Sequence, residues 1–245
     1  MQQQISLDLL QRFDPLALSP LVEDQEYFYY LLKRVMDIVI ATFLLVIFSP
    51  IMVLIAFLIA VDSRGPVIFS QVRVGSKRWT RDGFTYWQRS FFKCYKFRTM
   101  IHNADTCVHE NFVASLIEGQ IEASENNYKY KLNNDTRITR IGKVLRKTSL
   151  DELPQLFNVL RGQMSMVGPR PDVPYAVNHY KNWHYERLAA LPGLTGLWQV
   201  KGRSNVSFDK MASLDIKYVR NPSLLLDLKI LVLTIPAVFS GKGAV

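Results

Sequence analysis

A chain of 245 residues with 49% hydrophobic content and a formal net charge of +9 has room for one sizeable core or two small ones, and it is too apolar to be disordered. The basic balance points to an anionic partner: nucleic acid, an acidic membrane face or a phosphorylated substrate. Its two cysteines, Cys94 and Cys107, are too few for a disulfide framework and lack paired metal-ligand spacing, so they read as reduced thiols in a cytosolic setting, with no structural zinc expected.

In chain order, Tyr27, Phe28, Tyr29 and Tyr30 fit an interfacial aromatic anchor or an amphipathic helix docked on the core. Ile38 to Val61 is then an uncharged run of 24 residues. As a helix it would be ~36 Å long at 1.5 Å per residue, enough to span a bilayer. It is too long and starts too late for a signal peptide. Within it, Pro50 removes a backbone donor and crowds the Val46 carbonyl, so a kink is expected at Ser49-Pro50, with the hydroxyl of Ser49 or Ser63 placed to satisfy the freed carbonyl. Lys33 and Arg34 precede the run; Arg64, Arg73, Lys77, Arg78 and Arg81 follow it. A hairpin keeps both basic flanks in the cytoplasm, whereas a single span exports Lys33 and Arg34, and flanking charge leaves both topologies open.

Pro66 to Phe69 and Gln71 to Val74 read as short strands, Gly75 to about Phe92 as a polar and aromatic insertion, and Cys94 to Thr99 as the second strand of a small hairpin. Lys96 and Arg98 share a strand face there, either gripping a phosphate or protecting an exposed edge. His102 to Asn134, with Glu118, Glu122 and Glu125, is polar and helical in tendency, a lid or a connector. Arg137, Arg140, Lys143 and Lys147 then form a basic stripe on a helix whose other face carries Ile138, Ile141 and Leu145, with Arg146 beside it. That stripe is a solvated face or a contact for lipid headgroups or substrate phosphates.

From Thr148 to Pro154, Ser149 and Glu152 have capping-box spacing and Pro154 suits a first helical position. The two signals imply different registers, but either puts Asp151 and Glu152 at or just before a helix N-terminus, where the dipole favours ionised carboxylates. A cap explains Glu152; it does not explain the adjacent Asp151 or the ring of Arg137, Arg146 and Arg170. Arginine offers paired donors to phosphate, whereas a carboxylate among phosphates is repelled unless it holds a cation or attacks phosphorus. The cluster therefore implies metal, covalent catalysis or both. Gly168-Pro169-Arg170-Pro171 presents Arg170 from a stiff turn. Leu191 to Gly196 leads through Trp198 to Lys201-Gly202-Arg203, offering backbone amides and Arg203 to an anion without P-loop spacing. Leu224 to Phe239, interrupted by Asp227, Lys229 and Pro236, is too short to span comfortably and is expected as an interfacial or core helix.

Lys33-Arg34 through Asp37, Ser49-Pro50, Gly65-Pro66-Val67, Lys96-Phe97-Arg98-Thr99-Met100, Asp135-Thr136-Arg137, Leu150-Asp151-Glu152-Leu153-Pro154-Gln155, Gly168-Pro169-Arg170-Pro171 and Gly202-Arg203 together resemble the bacterial sugar transferases. These are monotopic phosphoglycosyl transferases that initiate surface-glycan assembly on a polyprenyl phosphate carrier. The resemblance, running from Lys33 to the C-terminus, implies a membrane-associated monotopic fold, mainly α with a small β-hairpin, and a re-entrant helix-break-helix with its break at Ser49 and Pro50. It implies an N-terminal interfacial segment over residues 1–32, a re-entrant membrane helix over 33–63 and a cytosolic membrane-associated catalytic domain over 64–245, at the cytoplasmic face of the bacterial inner membrane.

By the same resemblance Asp151 is the nucleophile and a metal contact, Glu152 its dyad partner, and Arg146 and Arg170, with Lys96, Arg98, Arg137 and Arg203, contact the phosphates of a nucleotide diphosphate sugar. Mg2+ is the implied cofactor. Polyprenyl phosphate and membrane lipid are the further partners, uridine is the favoured base, and no nucleic acid is expected. The implied reaction transfers sugar 1-phosphate to polyprenyl phosphate through a phosphosugar-aspartate. The stretch from Lys77 to Phe92 is longer than the family's usual connection. Two other classes compete. One is a membrane-anchored nucleic-acid-binding module built on Arg73, Lys77, Trp79, Arg81, Tyr86, Trp87, Arg89 and Lys93, which leaves Asp151-Glu152 unexplained. The other is a noncatalytic membrane scaffold using Leu224 to Phe239.

Overall fold

The apolar run folds as one long helix, α1 (Gln25–Asp62), in the computed structural model, which describes residues 25–81, 84–101, 107–119, 135, 137–202 and 206–239. Its outward side chains have no protein cover: Phe43 is 62% exposed, Val53 70% and Val61 71%, a surface suited to lipid rather than water. The few charges near its start are turned inward. Lys33 pairs with Asp227 at 2.9 Å, Arg34 donates to the Val159 and Leu160 carbonyls, and Asp37 accepts from Ser165 Oγ and Met166 N. At the proline, Ser49 Oγ donates to the Val46 carbonyl at 2.9 Å, so the group that Pro50 cannot serve is satisfied within one turn. The Ser63 hydroxyl instead accepts from Arg98.

Strands β1 (Ile68–Arg81) and β2 (Phe84–Phe97) pair antiparallel from Ile68↔Phe97 to Arg81↔Phe84. This corrects the expectation of an unpaired insertion from Gly75 to Phe92. The polar residues that broke the strand pattern are held by tertiary contacts: Arg78 lies over the Tyr30 ring at 4.3 Å, Arg89 over Tyr185 at 5.0 Å, and Trp87 between them is buried.

The remaining described elements are short. They are α2 (Cys107–Ile117), α3 (Arg140–Thr148), a 3-10 turn at Leu150–Glu152, α4 (Gln155–Leu160), β3 (Ser165–Val167), α5 (Pro174–Val177), a 3-10 segment at Asn182–Leu188, β4 (Gly193–Thr195), α6 (Leu197–Lys201), α7 (Phe208–Arg220) and α8 (Leu224–Phe239). β3 and β4 run parallel, Ser165 opposite Gly193 and Val167 opposite Thr195. Leu156, Val159, Met164, Val167 and Ile230 join Ala41 in a buried cluster that seats α4, β3 and α8 against α1. In α8, Asp227 and Ile230 are fully buried while Leu225 is 78% and Val232 65% exposed, so this helix is core on one side and apolar surface on the other. The described chain is mainly helical, with a small antiparallel hairpin and one long apolar helix, consistent with a membrane-associated fold.

Candidate active site

The centre of the site is a change of direction between α3 and α4. Thr139 caps α3 through Gly142 N at 3.0 Å, so the helix starts at Arg140 and Arg137 lies ahead of it. The basic stripe on α3 is thus Arg140, Lys143 and Lys147, while Arg137 folds onto Asp135 with Nε and Nη2 contacts of 2.8 and 2.7 Å. Ile138, also ahead of the helix, bridges to Met100. At the other end, Ser149 takes a left-handed conformation, φ 57°, and turns the chain into Leu150–Glu152. Ser149 makes no side-chain cap, and Pro154 precedes α4 at the N-cap position. The expected Ser149–Glu152 capping box is therefore not formed.

Glu152 is used differently. Its Oε1 accepts from Lys96 Nζ at 2.7 Å and Arg170 Nη2 at 2.6 Å, and its Oε2 from Arg170 Nη1 at 3.3 Å. Burial opposes the charge, but Arg170 and Lys96 outweigh it and hold the carboxyl well below the usual carboxylate range. Glu152 in turn holds the Arg170 guanidinium more firmly protonated. Asp151 is buried beside them, with Oδ2 3.9 Å from Lys96 Nζ. Arg146 forms the next wall: Nε donates to Thr99 Oγ1 at 2.9 Å, and burial, which weakens its hold on the proton, is countered by Asp151 and Asp135.

The structure thus brings Lys96, Asp151, Glu152 and Arg170 into one cluster, with Arg146, Asp135 and Arg137 on its flank. It does not bring Arg98 there. β2 ends at Phe97, and the Arg98 guanidinium turns to the end of α1, donating to Arg64 O at 3.0 Å, Ser63 O at 2.6 Å, Ser63 Oγ at 2.9 Å and Ile59 O at 3.4 Å. The Ser63 and Arg64 carbonyls lie just past the point where α1 stops, and Ile59 O also accepts from Ser63 N. Arg203 lies outside the described residues, as do Thr136, Glu122 and Glu125.

Several positioning residues escaped the sequence reading. Buried Arg187 donates through Nε and Nη2 to Asp215 Oδ2 at 3.0 and 2.6 Å, through Nη1 to Asp172 and to Tyr180 Oη at 2.7 Å, and through Nη2 to Arg170 O at 3.4 Å. From the other side Arg73 Nη1 donates to Pro171 O at 3.0 Å and Val74 N to Asp172 O at 2.8 Å. The turn that carries Arg170 is therefore held along its backbone. β4 buttresses it, with Gly168 N bonded to Thr195 O at 2.9 Å and Gly193 N to Pro169 O at 2.8 Å. The Gly193 amide, expected to be open to an anion, is committed to this turn, and a Cβ on Gly193 would overlap the Gly168 amide. Buried Asn158 pins β2 just before Lys96, accepting from Tyr95 N at 3.0 Å and donating to Lys93 O at 2.7 Å. None of these residues had a periodic signal; each is one polar side chain in an apolar or turn-rich context.

Beside the C-terminal half of α1, Met52, Val53, Ala56, Ile68, Tyr95, Phe97, Pro154, Phe157 and Arg161 line an open apolar groove of about 450 Å³. The nucleic-acid reading is not favoured, because Arg73, Arg78, Trp87 and Arg89 are engaged within the fold.

Residues 28–241 match the bacterial sugar transferase family model. The chain belongs to this family. It is 41% identical over 212 residues to the exopolysaccharide production protein ExoY of Sinorhizobium fredii, covering 86% of this chain and 87% of that protein. It is 43% identical over 213 residues to an undecaprenyl-phosphate galactose phosphotransferase of Salmonella typhimurium, covering 87% of this chain and 41% of that protein. To a UDP-glucose:undecaprenyl-phosphate glucose-1-phosphate transferase of Klebsiella pneumoniae it is 39% identical over 223 residues, covering 86% of this chain and 41% of that protein. The chain spans about two fifths of the length of several of the curated relatives it matches.

Proposed function

We propose that this protein transfers a sugar 1-phosphate from a UDP-sugar to polyprenyl phosphate, at the cytoplasmic face of the bacterial inner membrane, and so initiates assembly of a surface polysaccharide or glycoconjugate. The observation that carries this reading is the Asp151-Glu152 pair in one rigid turn, with Glu152 fixed between Lys96 and Arg170. The Salmonella and Klebsiella relatives are named for undecaprenyl phosphate, one with galactose and the other with glucose, which supports the acceptor and leaves the sugar to experiment. The apolar groove beside α1 suits the isoprenoid chain of such an acceptor.

In this mechanism an Asp151 oxygen attacks the sugar-bearing phosphorus, the bond from that phosphorus to the bridging oxygen breaks, and nucleoside monophosphate leaves. An oxygen of polyprenyl phosphate then attacks the same phosphorus. The aspartyl bond breaks, the Asp151 carboxylate is restored and polyprenyl diphosphate sugar is released. Glu152 holds Lys96 and Arg170 in place, and those cations, with Arg146 and Arg137, face the charge of the diphosphate. Among the described residues no group of three or more His, Cys, Asp or Glu side chains is placed to hold a metal. Asp151 is the residue that would hold a magnesium ion in this mechanism, and the ion would neutralise diphosphate charge.

For the membrane part, residues 33–63 are read as a helix that enters and returns, flanked by an interfacial segment over 1–32 and a cytosolic catalytic domain over 64–245. Both arms of α1 dock on the same domain, which supports this topology. Lys33, Arg34 and Asp37 bond to α8, α4 and β3, while Ile55 and Ile59 pack with Phe97 and Leu145, and Asp62 accepts from Ile141 N. A crossing helix would place one of these docking surfaces beyond ~30 Å of hydrocarbon.

The test is incubation with magnesium and either UDP-glucose or UDP-galactose, without polyprenyl phosphate. Release of UMP and a phosphosugar adduct in intact-protein mass spectra are expected, and both are lost in Asp151→Asn. An Asp151→Asn protein that forms the adduct at the normal rate, or robust turnover with no adduct under these trapping conditions, overturns the covalent route.

A further inference from the structure

We infer that the tip of the β1–β2 hairpin is an interfacial anchor that rests among anionic lipid headgroups. The argument starts from α1. Because Lys33 and Asp37 are buried in contacts with the domain and Arg34 is bonded to two carbonyls, the outward face of α1 carries no charge from Phe28, 63% exposed, through Leu31, 49%, to Val61, 71%. The apolar surface therefore begins at Phe28, and the boundary between hydrocarbon and headgroups lies near that residue and its neighbour Tyr30.

The hairpin tip docks at this level. Its inner face meets Tyr30 through the Arg78 guanidinium at 4.3 Å and through the edge of Trp87 at 5.6 Å between ring centroids. Its outer face presents Trp79, 42% exposed and stacked on its cross-strand partner Tyr86 at 4.8 Å, with Lys77 exposed two residues away. An exposed tryptophan stacked on a half-buried tyrosine presents apolar bodies and polar tips, the pattern favoured where hydrocarbon gives way to water. Lys77 puts an exposed positive charge on this outer face beside Trp79, which complements anionic headgroups, while Arg78 and Arg89 are held against Tyr30 and Tyr185. The inference rests on α1 lying in the bilayer and is independent of the chemistry at Asp151.

The full chain would be reconstituted in vesicles of equimolar phosphatidylglycerol and phosphatidylcholine, the latter brominated on its acyl chains close to the headgroup. Emission lost on Trp79→Phe, which keeps the ring stack, isolates the Trp79 signal. That component is expected to be quenched by the brominated lipid at least twofold more than by aqueous iodide, and more than in vesicles of brominated phosphatidylcholine alone. Quenching by iodide without quenching by lipid places the tip in water and overturns the inference. Protection from both quenchers also overturns it, pointing to a protein partner, and equal lipid quenching with and without phosphatidylglycerol removes the headgroup preference. A Phe57→Trp reporter in the Trp79→Phe background reports insertion of α1 separately, because Phe57 is 65% exposed on the lipid-facing side of that helix.

Discussion

Replacing Glu152 with glutamine separates the role observed here from helix capping, since glutamine serves in a capping box nearly as well as glutamate. In the structure the carboxylate receives Lys96 at 2.7 Å and Arg170 at 2.6 Å on one oxygen, and the amide would leave two cations facing each other with one weak acceptor between them. Each charge-assisted hydrogen bond is worth ~1.5–3 kcal/mol. The Lys96 and Arg170 side chains keep 21% and 32% exposure, so solvent screening brings the combined loss to about 3 kcal/mol. At about 2–4 °C per kcal/mol for a domain of this size, Tm should fall by ~6–12 °C near neutral pH. The pH dependence has a definite sign. The folded-state pKa of Glu152 lies well below its unfolded value of about 4.3, so its contribution is present above that value and lost as pH falls towards the folded pKa. The gap between wild type and variant is therefore flat through neutral pH and narrows below about pH 4, by up to ~1.4 kcal/mol per pH unit. Fluorescence melts in nanodiscs at neutral and acid pH measure both quantities. A neutral-pH shift under ~2 °C, or a gap that widens on acidification, would refute the clamp.

Arg170→Lys keeps the charge and loses the forked contact; kcat/KM should fall roughly 10- to 150-fold for a loss of ~1.5–3 kcal/mol, and unchanged efficiency would place Arg170 outside the phosphate contacts. Arg187→Lys cannot reach Asp172, Asp215 and the Arg170 carbonyl together, so the same melts should show a loss of about 3 kcal/mol, and an unshifted Tm would mean that the turn is held without it. In intact cells an N-terminal cysteine should stay unlabelled from the periplasm in wild type and become accessible in Pro50→Leu, where a restored donor straightens α1; labelling of the wild type would reject the hairpin.

The legible parts of this protein were those encoded locally. The 3.6-residue pattern around Ile141 and Leu145 marked α3, the apolar run marked α1, and the carboxylate pair among arginines pointed to the charged cluster that the structure brings together, because each is written in neighbouring residues. What the sequence hid depends on distant partners. The segment from Gly75 to about Phe92 read as a polar and aromatic insertion, and the Tyr30 and Tyr185 rings that hold Arg78 and Arg89 in its strands lie far away in the sequence. Glu152 looked like a cap because Ser149 has the right spacing, but Arg170, eighteen residues on, is the stronger partner for a carboxylate. Arg98 followed Lys96 at strand spacing, yet the carbonyls just past the end of α1 claim it once β2 has ended.

That divergence between Lys96 and Arg98 ties the long apolar helix to the candidate site. Lys96 binds Glu152, and two residues later Arg98 binds the Ser63 carbonyl just past α1, so one stretch of ~7 Å of extended chain joins the carboxylates to the C-terminal end of that helix. On the other side the six residues of α4, ~9 Å of helix, run from the turn after Glu152 to the carbonyls held by Arg34 near the start of α1. Both links are too short to flex much. The position of Asp151 relative to α1 is thereby fixed to within side-chain lengths, and a headgroup phosphate carried by a lipid is confined to a narrow layer at that same boundary. In the proposed mechanism, holding Asp151 at one level removes a search that a freely tethered domain would have to make, and proximity would lower the barrier for transfer to a membrane-bound acceptor.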